Sequence, residues 1–270
     1  MAIYSYFGMA AALSYALIVT LLARQFFFSK SFKRSLFYSI GFASLFLHGL
    51  MCFLQIASPQ GYHFDMASAL SLSVFLSAFF LYVMTYFEPI DNLGIIIFPI
   101  AILSIIASLI FSTPPHLHTK TISSTPILLH IFLALSSNAL ITLASLQSGL
   151  LAFQHYQLKH RHPSSFFQQF PALETMEKIL FQLIWLGVIL LSLGIATGFL
   201  FYENLLAQHL SHKTFFTICA WVIFVTLLTG RHIFGWRGIQ AVRWTNWGFF
   251  ILLLGFVGSG IVLEVILKTP

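Results

Sequence analysis

The stretch ILFQLIWLGVILLSLGIATGFLFY, residues 179–202, runs for 24 residues without a charged side chain. An α-helix of this length crosses the roughly 30 Å hydrocarbon core of a bilayer, because each residue adds about 1.5 Å. Such an apolar surface is poorly solvated by water but well solvated by lipid chains. The stretch therefore predicts a transmembrane helix.

Seven further apolar runs of the same kind lie along the 270 residues. The composition agrees, because 59% of the residues are hydrophobic and 7% are charged, with a mean hydropathy of +0.91. A soluble fold could not expose this surface. We expect an all-α, polytopic transmembrane helical bundle of about eight helices in a single integral membrane domain, residues 1–270. The predicted helices are Tyr6–Ala23, Leu36–Ala57, Ala67–Phe87, Gly94–Phe111, Ile127–Phe153, Ile179–Tyr202, Thr214–Thr229 and Trp244–Leu267.

The lysines and arginines predict the orientation, because basic residues stay preferentially on the cytoplasmic side of a membrane. Ten of them fall in loops on one side: Arg24, Lys30, Lys33, Arg34, Lys159, Arg161, Lys178, Arg231, Arg237 and Arg243. Only Lys120, Lys213 and Lys268 fall on the other. Both termini are therefore predicted on the outer, periplasmic side of a bacterial inner membrane. The net charge of +6 is explained by topology and lipid headgroups, so we expect no nucleic acid partner.

Catalytic chemistry has little support in this sequence. Cys52 and Cys219 form no C-x-x-C or C-x-x-C-H motif and are expected to be small buried hydrophobes. There is no Gly-rich phosphate loop, and no nucleophile, base and orienting group recur at a recognisable spacing. We expect a binding protein and not an enzyme.

Four of the eleven histidines are predicted in the outer half of the bundle or at its outer surface: His48, His130, His209 and His212. A buried imidazole needs a partner, and one that it binds well is a transition metal, including haem iron. These four are the candidate cofactor-binding residues, and no metal other than haem iron is expected. Of the other seven, His63, His116 and His118 are predicted in exposed outer loops, and His155, His160, His162 and His232 among the cytoplasmic basic residues.

Other polar residues are predicted to lie around these histidines. Glu203 and Glu264 are expected at the same level, where Lys213 or a histidine could pair with a carboxylate. Asn138 belongs to a polar run inside the fifth helix and is the member of that run expected to contact a ligand. Interhelical hydrogen bonding explains the run equally well, and the same groups could bind zinc or relay protons.

Several strings resemble the cytochrome c assembly membrane proteins of the CcsA and HemX type, and within them the YpjD-like inner-membrane branch. The similar region covers approximately residues 36–267. The strings that carry the resemblance are Leu129–Leu135, Leu143–Gln147, Pro171–Glu174 with the glycine-rich sixth helix, Ala207–Thr214 and Gly235–Gly238.

The resemblance implies a bundle that binds haem b through histidines near its outer face, with the lipid bilayer and other cytochrome assembly or membrane proteins as partners. His130 matches the outer histidine of the family, and His48 an intramembrane histidine. This chain has no tryptophan between Trp185 and Trp221, where CcsA-type members have a tryptophan-rich segment that presents haem to apocytochrome c. Glu264 stands where the family has a second outer histidine.

Two other hypotheses stay open at this point. The missing tryptophan segment favours a membrane scaffold or accessory subunit that regulates a partner enzyme or ion transporter without a ligand. Glu264, Asn138 and the histidines would also suit a transporter or proton relay, although the internal symmetry common in secondary transporters is not evident.

Overall fold

A computed structural model of the chain describes residues 3–28, 33–59, 61–111, 122, 124–160, 170–201 and 211–261. This part of the chain contains eight α-helices, as predicted. They are α1 (Ile3–Phe28), α2 (Arg34–Ile56), α3 (Met66–Met84), α4 (Gly94–Phe111), α5 (Thr125–Lys159), α6 (Leu173–Phe201), α7 (Ser211–Phe234) and α8 (Ile239–Ile261). A hairpin of β1 (Ala57–Ser58) and β2 (Gly61–Tyr62) follows α2, and a short 3-10 helix, Asp91–Leu93, precedes α4.

Seven of these helices, α1 to α7, are long and apolar enough to cross a membrane. Many of their large apolar side chains point outward, as lipid contact requires. Leu13, for example, is 74% exposed and Leu103 is 65% exposed. The prediction of a polytopic helical membrane protein is confirmed. The predicted eighth span continues past residue 261, beyond the described part of α8.

Five helices, α1, α2, α5, α6 and α7, are longer than the apolar runs that predicted them, whereas α4 has the predicted bounds and α3 ends at Met84, three residues before the predicted Phe87. α5 spans 35 residues and continues to Lys159, six residues beyond the predicted end, and α6 begins at Leu173 instead of Ile179. The reason is physical: a hydropathy pattern marks the hydrocarbon core, whereas Lys, Glu and Gln are good helix formers that extend a helix into the interface.

The helices divide into two compact units, α1–α4 and α5–α8. In the first unit each helix packs on its neighbour in sequence, and α1 packs on α4. Its core includes Tyr15, stacked on Phe98 with ring centroids 5.5 Å apart. The second unit has the same order of neighbours, with α5 packed on α8. Its core includes Ile184 and Phe224, both fully buried. The prediction of a single domain stays a prediction.

The hairpin changes the interpretation of one loop histidine. His63, predicted to be exposed, is only 4% exposed. Its Nε2 lies 2.9 Å from the Ser58 hydroxyl, and its backbone N–H donates to the Ile56 carbonyl. The hairpin folds this residue back onto the end of α2, which a loop assignment from hydropathy could not foresee.

Candidate ligand-binding site

The second unit contains a cavity of about 120 Å³ lined by α5, α6 and α7. It brings together two of the predicted site residues, His130 of α5 and Lys213 of α7. The other lining residues are Ala134, Leu191, Gly194, Ile195, Gly198, Phe199, Thr214, Thr217 and Ile218. The cavity is thus mainly apolar, with one imidazole and one ammonium group.

The orientation of the His130 ring is fixed by α6. Its Nδ1 lies 2.9 Å from the carbonyl oxygen of Gly194 and 3.3 Å from the hydroxyl of Thr197. Because a carbonyl can only accept, Nδ1 carries the proton, and in the neutral ring the lone pair is on Nε2. Histidines that bind metals are oriented in this way, by donating the other ring N–H to a backbone carbonyl or carboxylate.

The local sequence explains why α6 can serve this role. Gly187, Gly194 and Gly198 recur at spacings of seven and four residues, so they share one face of the helix. A Cβ on Gly187 would lie 3.0 Å from the Ile141 side chain, so that glycine lets α5 approach closely. A Cβ on Gly194 would meet only ordinary contacts at 3.7 Å or more, and this residue contributes a cavity wall and the carbonyl that holds His130.

The donor set of this cavity fits a haem, but the enclosed volume is small. His130 would offer a ligand nitrogen, Lys213 would offer a cation for a carboxylate of the ligand, and the apolar walls would suit a porphyrin edge. Ligand pockets usually enclose about 300 Å³ or more, so the volume of about 120 Å³ does not enclose a whole macrocycle between the described walls. In the described ranges, no three His, Cys, Asp or Glu side chains group as metal ligands.

His48 lies in the first unit and has a different environment. It is fully buried, with Nδ1 3.4 Å from the Tyr15 hydroxyl and Nε2 3.1 Å from the Ser71 hydroxyl. The Phe75 ring packs edge-on against the imidazole, with ring centroids 5.4 Å apart. Both ring nitrogens are thus within hydrogen-bond distance of protein groups, as in a structural core histidine. Its predicted ligand role stays a prediction.

The remaining predicted site residues are only partly within the described structure. His212 lies in the first turn of α7, but its side chain is outside the described part. His209, Glu203 and Glu264 lie outside the described residues altogether. The predicted convergence of His130 with His209 and His212 therefore stays a prediction.

Three residues of the polar run of α5 make hydrogen bonds to other helices. Ser137 donates to the Gly187 carbonyl at 2.9 Å, and Gln147 donates to the Met176 carbonyl at 3.1 Å. Ser145 and Ser148 both donate to Oδ1 of Asn246 on α8. The interpretation of this run as interhelical hydrogen bonding is confirmed for Ser137, Ser145 and Gln147. Asn138, the member singled out for ligand contact, is 9% exposed.

Sequence reasoning missed a polar clamp at the other end of the second unit. Oε1 of Glu177 on α6 lies 3.2 Å from Nη1 of Arg231 on α7. Oε2 of the same carboxylate accepts a hydrogen bond from the backbone N–H of Gly238 at 3.1 Å. The Arg231 guanidinium also lies over the Phe181 ring at 3.6 Å. The clamp joins α6 to the turn between α7 and α8. The sequence did contain an indication of this clamp, because Glu177 places a carboxylate near the start of a membrane helix. A charge in that position needs a partner.

Comparison with known proteins gives a consistent result. Residues 35–267 match the protein family described as Cytochrome C assembly protein. The chain is 32% identical over 210 residues to the inner membrane protein YpjD of Escherichia coli strain K12, covering 77% of this chain and 79% of the relative. It is 27% identical over 179 residues to the protein HemX of Brevibacillus brevis, covering 64% and 65% of the two chains. No solved structure matches the chain significantly.

Proposed function

We propose that this chain, which belongs to the cytochrome c assembly protein family, binds haem or a related ligand through His130. The chain is an integral protein of the bacterial inner membrane, and its family supports a haem-related role. The observation that carries this proposal is the His130 ring held by the Gly194 carbonyl, 2.9 Å away, at a cavity that also contains Lys213. We propose a binding protein without catalytic turnover, acting near the outer face.

The proposal assigns separate tasks to the residues of this cavity. His130 supplies Nε2 as a ligand nitrogen, while Gly194 and Thr197 fix the rotation of the ring. Lys213 neutralises a carboxylate of the ligand, and the apolar walls exclude water from the ligand plane. Bound haem would supply an iron centre, and these apolar walls would shield it from water. His209 and His212 are the proposed sources of a second ligand, with Glu203 and Glu264 as partners.

Absorption spectroscopy of the purified protein tests this proposal. The full-length protein in detergent is titrated with haemin, and the Soret band of the bound form is followed. We expect His130→Ala to lose most of the bound absorbance, because the ligand nitrogen is gone, and Lys213→Gln to weaken haemin binding by about fivefold, as expected for one charge-assisted contact.

A matched histidine provides the control for nonspecific haemin binding. His160, at the end of α5, is exposed and its Nδ1 also donates to a backbone carbonyl, that of Tyr156 at 2.9 Å. His160→Ala should therefore bind haemin as the parent protein does. A folded parent protein that gives no Soret shift, or equal losses in His130→Ala and His160→Ala, would refute the haem proposal and leave the scaffold hypothesis.

A further inference from the structure

A second cavity lies between α6 and α7, apart from the His130 site. It has a volume of about 380 Å³, which is within the range of sites for small molecules. Val188, Val225 and Leu228 form its apolar walls, and Trp185 and Ile233 stand at its rim. Trp185 is 54% exposed and Ile233 is 64% exposed. The cavity is therefore a groove that opens on the lipid-facing side of these two membrane helices.

One end of this groove is expected at the level of the lipid headgroups, because α7 ends there with the basic residues Arg231 and His232. Thr229 and His232 line that end, near the end of α7. In the turn that follows α7, Trp236 donates its backbone N–H to the Gly230 carbonyl and stacks on Trp244 with ring centroids 5.2 Å apart. Paired tryptophans at helix ends are typical of the membrane–water interface. The groove thus extends from the hydrocarbon region to the interface, in the same direction as the acyl chain of a phospholipid.

The charge at the interfacial end is positive. Glu177, Phe181 and Trp185 follow one another at four-residue spacing on α6, so the Glu177 clamp and the groove lie on one face. Two cations lie near that carboxylate, Arg231 at 3.2 Å and Arg237 at 4.0 Å. One carboxylate neutralises only one of them. The Arg237 side chain is 75% exposed and available to a second anion.

We propose that this groove binds an acyl chain of an anionic phospholipid, whose phosphate lies against Arg237 and His232. The apolar walls recognise the chain, and the exposed guanidinium of Arg237 selects an anionic headgroup over a zwitterionic one. Basic pockets between membrane helices bind anionic lipid headgroups in this manner. The site is independent of the haem proposal, since it uses other residues of α6 and α7.

Quenching of Trp185 fluorescence by lipids with brominated acyl chains tests this site. The full-length protein in detergent is titrated with brominated phosphatidylglycerol and, separately, with brominated phosphatidylcholine. The signal of Trp185 is obtained by subtracting that of Trp185→Phe. We expect the anionic lipid to quench at lower concentration. Arg237→Gln should raise the phosphatidylglycerol concentration for half-quenching by about fivefold, the effect of one basic residue near an anionic headgroup.

Two further variants separate the groove from general charge attraction. Arg243→Gln on α8 removes the same charge from another exposed position and should leave quenching unchanged. Val225→Phe fills the groove and should abolish the quenching of Trp185 fluorescence by both lipids. If Val225→Phe does not elute as a folded protein, Thr229→Phe fills the groove from an exposed position. Equal quenching by the two lipids, equal effects of Arg237→Gln and Arg243→Gln, or no effect of filling the groove would overturn the proposal.

Discussion

Two of the four candidate histidines, His130 and His48, have described side chains, and they show what single residues can and cannot reveal. Both were predicted from the sequence as ligand candidates, since both were placed in the outer half of the bundle or at its outer surface. In the structure His130 lies at a cavity, held through one nitrogen by a backbone carbonyl, whereas both nitrogens of His48 lie near side-chain hydroxyls. Their partners come from other helices, and every residue has a carbonyl, so no pattern within α2 or α5 could distinguish them.

The hydroxyl of Ser71 is expected to contribute to the stability of the first unit. Ser71→Ala would remove the 3.1 Å contact to Nε2 of His48 and leave a polar group buried in the helix core. We expect the free energy of unfolding in detergent to fall by about 1 kcal/mol, the usual size for a hydrogen bond between membrane helices. Thermal unfolding monitored by circular dichroism measures this change.

Ser14→Ala is the matched control for that variant. The Ser14 hydroxyl donates only to carbonyls of its own helix, those of Ala10 and Ala11. Its removal should change the free energy of unfolding by less than about 0.5 kcal/mol. If the two alanine variants unfold alike, the contact between His48 and Ser71 does not stabilise the unit.

At the scale of elements, hydropathy predicted the existence of every α-helix in the described chain and both ends of α4, but not the ends of the other helices. The apolar runs are continuous and long, so the number of helices followed directly. The end of α7 depends instead on Gly235 and Gly238, both with positive φ, at 67° and 59°. Hydropathy does not register backbone conformation, and α8 consequently begins at Ile239, five residues before the predicted Trp244.

The turn between α7 and α8 requires the left-handed backbone conformation of its glycines. A Cβ on Gly235 or Gly238 would meet nothing within 4 Å, so only backbone strain opposes a side chain there. We expect Gly235→Ala to lower the free energy of unfolding by about 1–2 kcal/mol. Gly235→Asn should lose less, because asparagine enters this conformation more easily. Thermal unfolding of both variants and of the parent protein measures these changes. If Gly235→Ala is as stable as Gly235→Asn, backbone strain at this position is contradicted.

At the scale of the molecule, the orientation in the membrane is a prediction from basic residues. Ten of thirteen lysines and arginines were assigned to one side, because such residues resist transfer across the membrane. We expect alkaline phosphatase fused after Pro270 to be active, since the C-terminus is predicted outside, and the same enzyme fused after His160 to be inactive. Green fluorescent protein at the same positions should give the opposite pattern. Reversed activities would contradict the predicted orientation.

Each unit joins its first helix to its fourth, and in the second unit this contact has a consequence for biosynthesis. Ser145 and Ser148 of α5 share the amide of Asn246, which follows them by 101 and 98 residues. While the ribosome is still translating α6 and α7, these two hydroxyls have yet to meet that amide. Completion of the C-terminal half therefore waits for the last helix to emerge, and a nascent chain released early would offer quality-control proteases a helix with its polar side still uncovered.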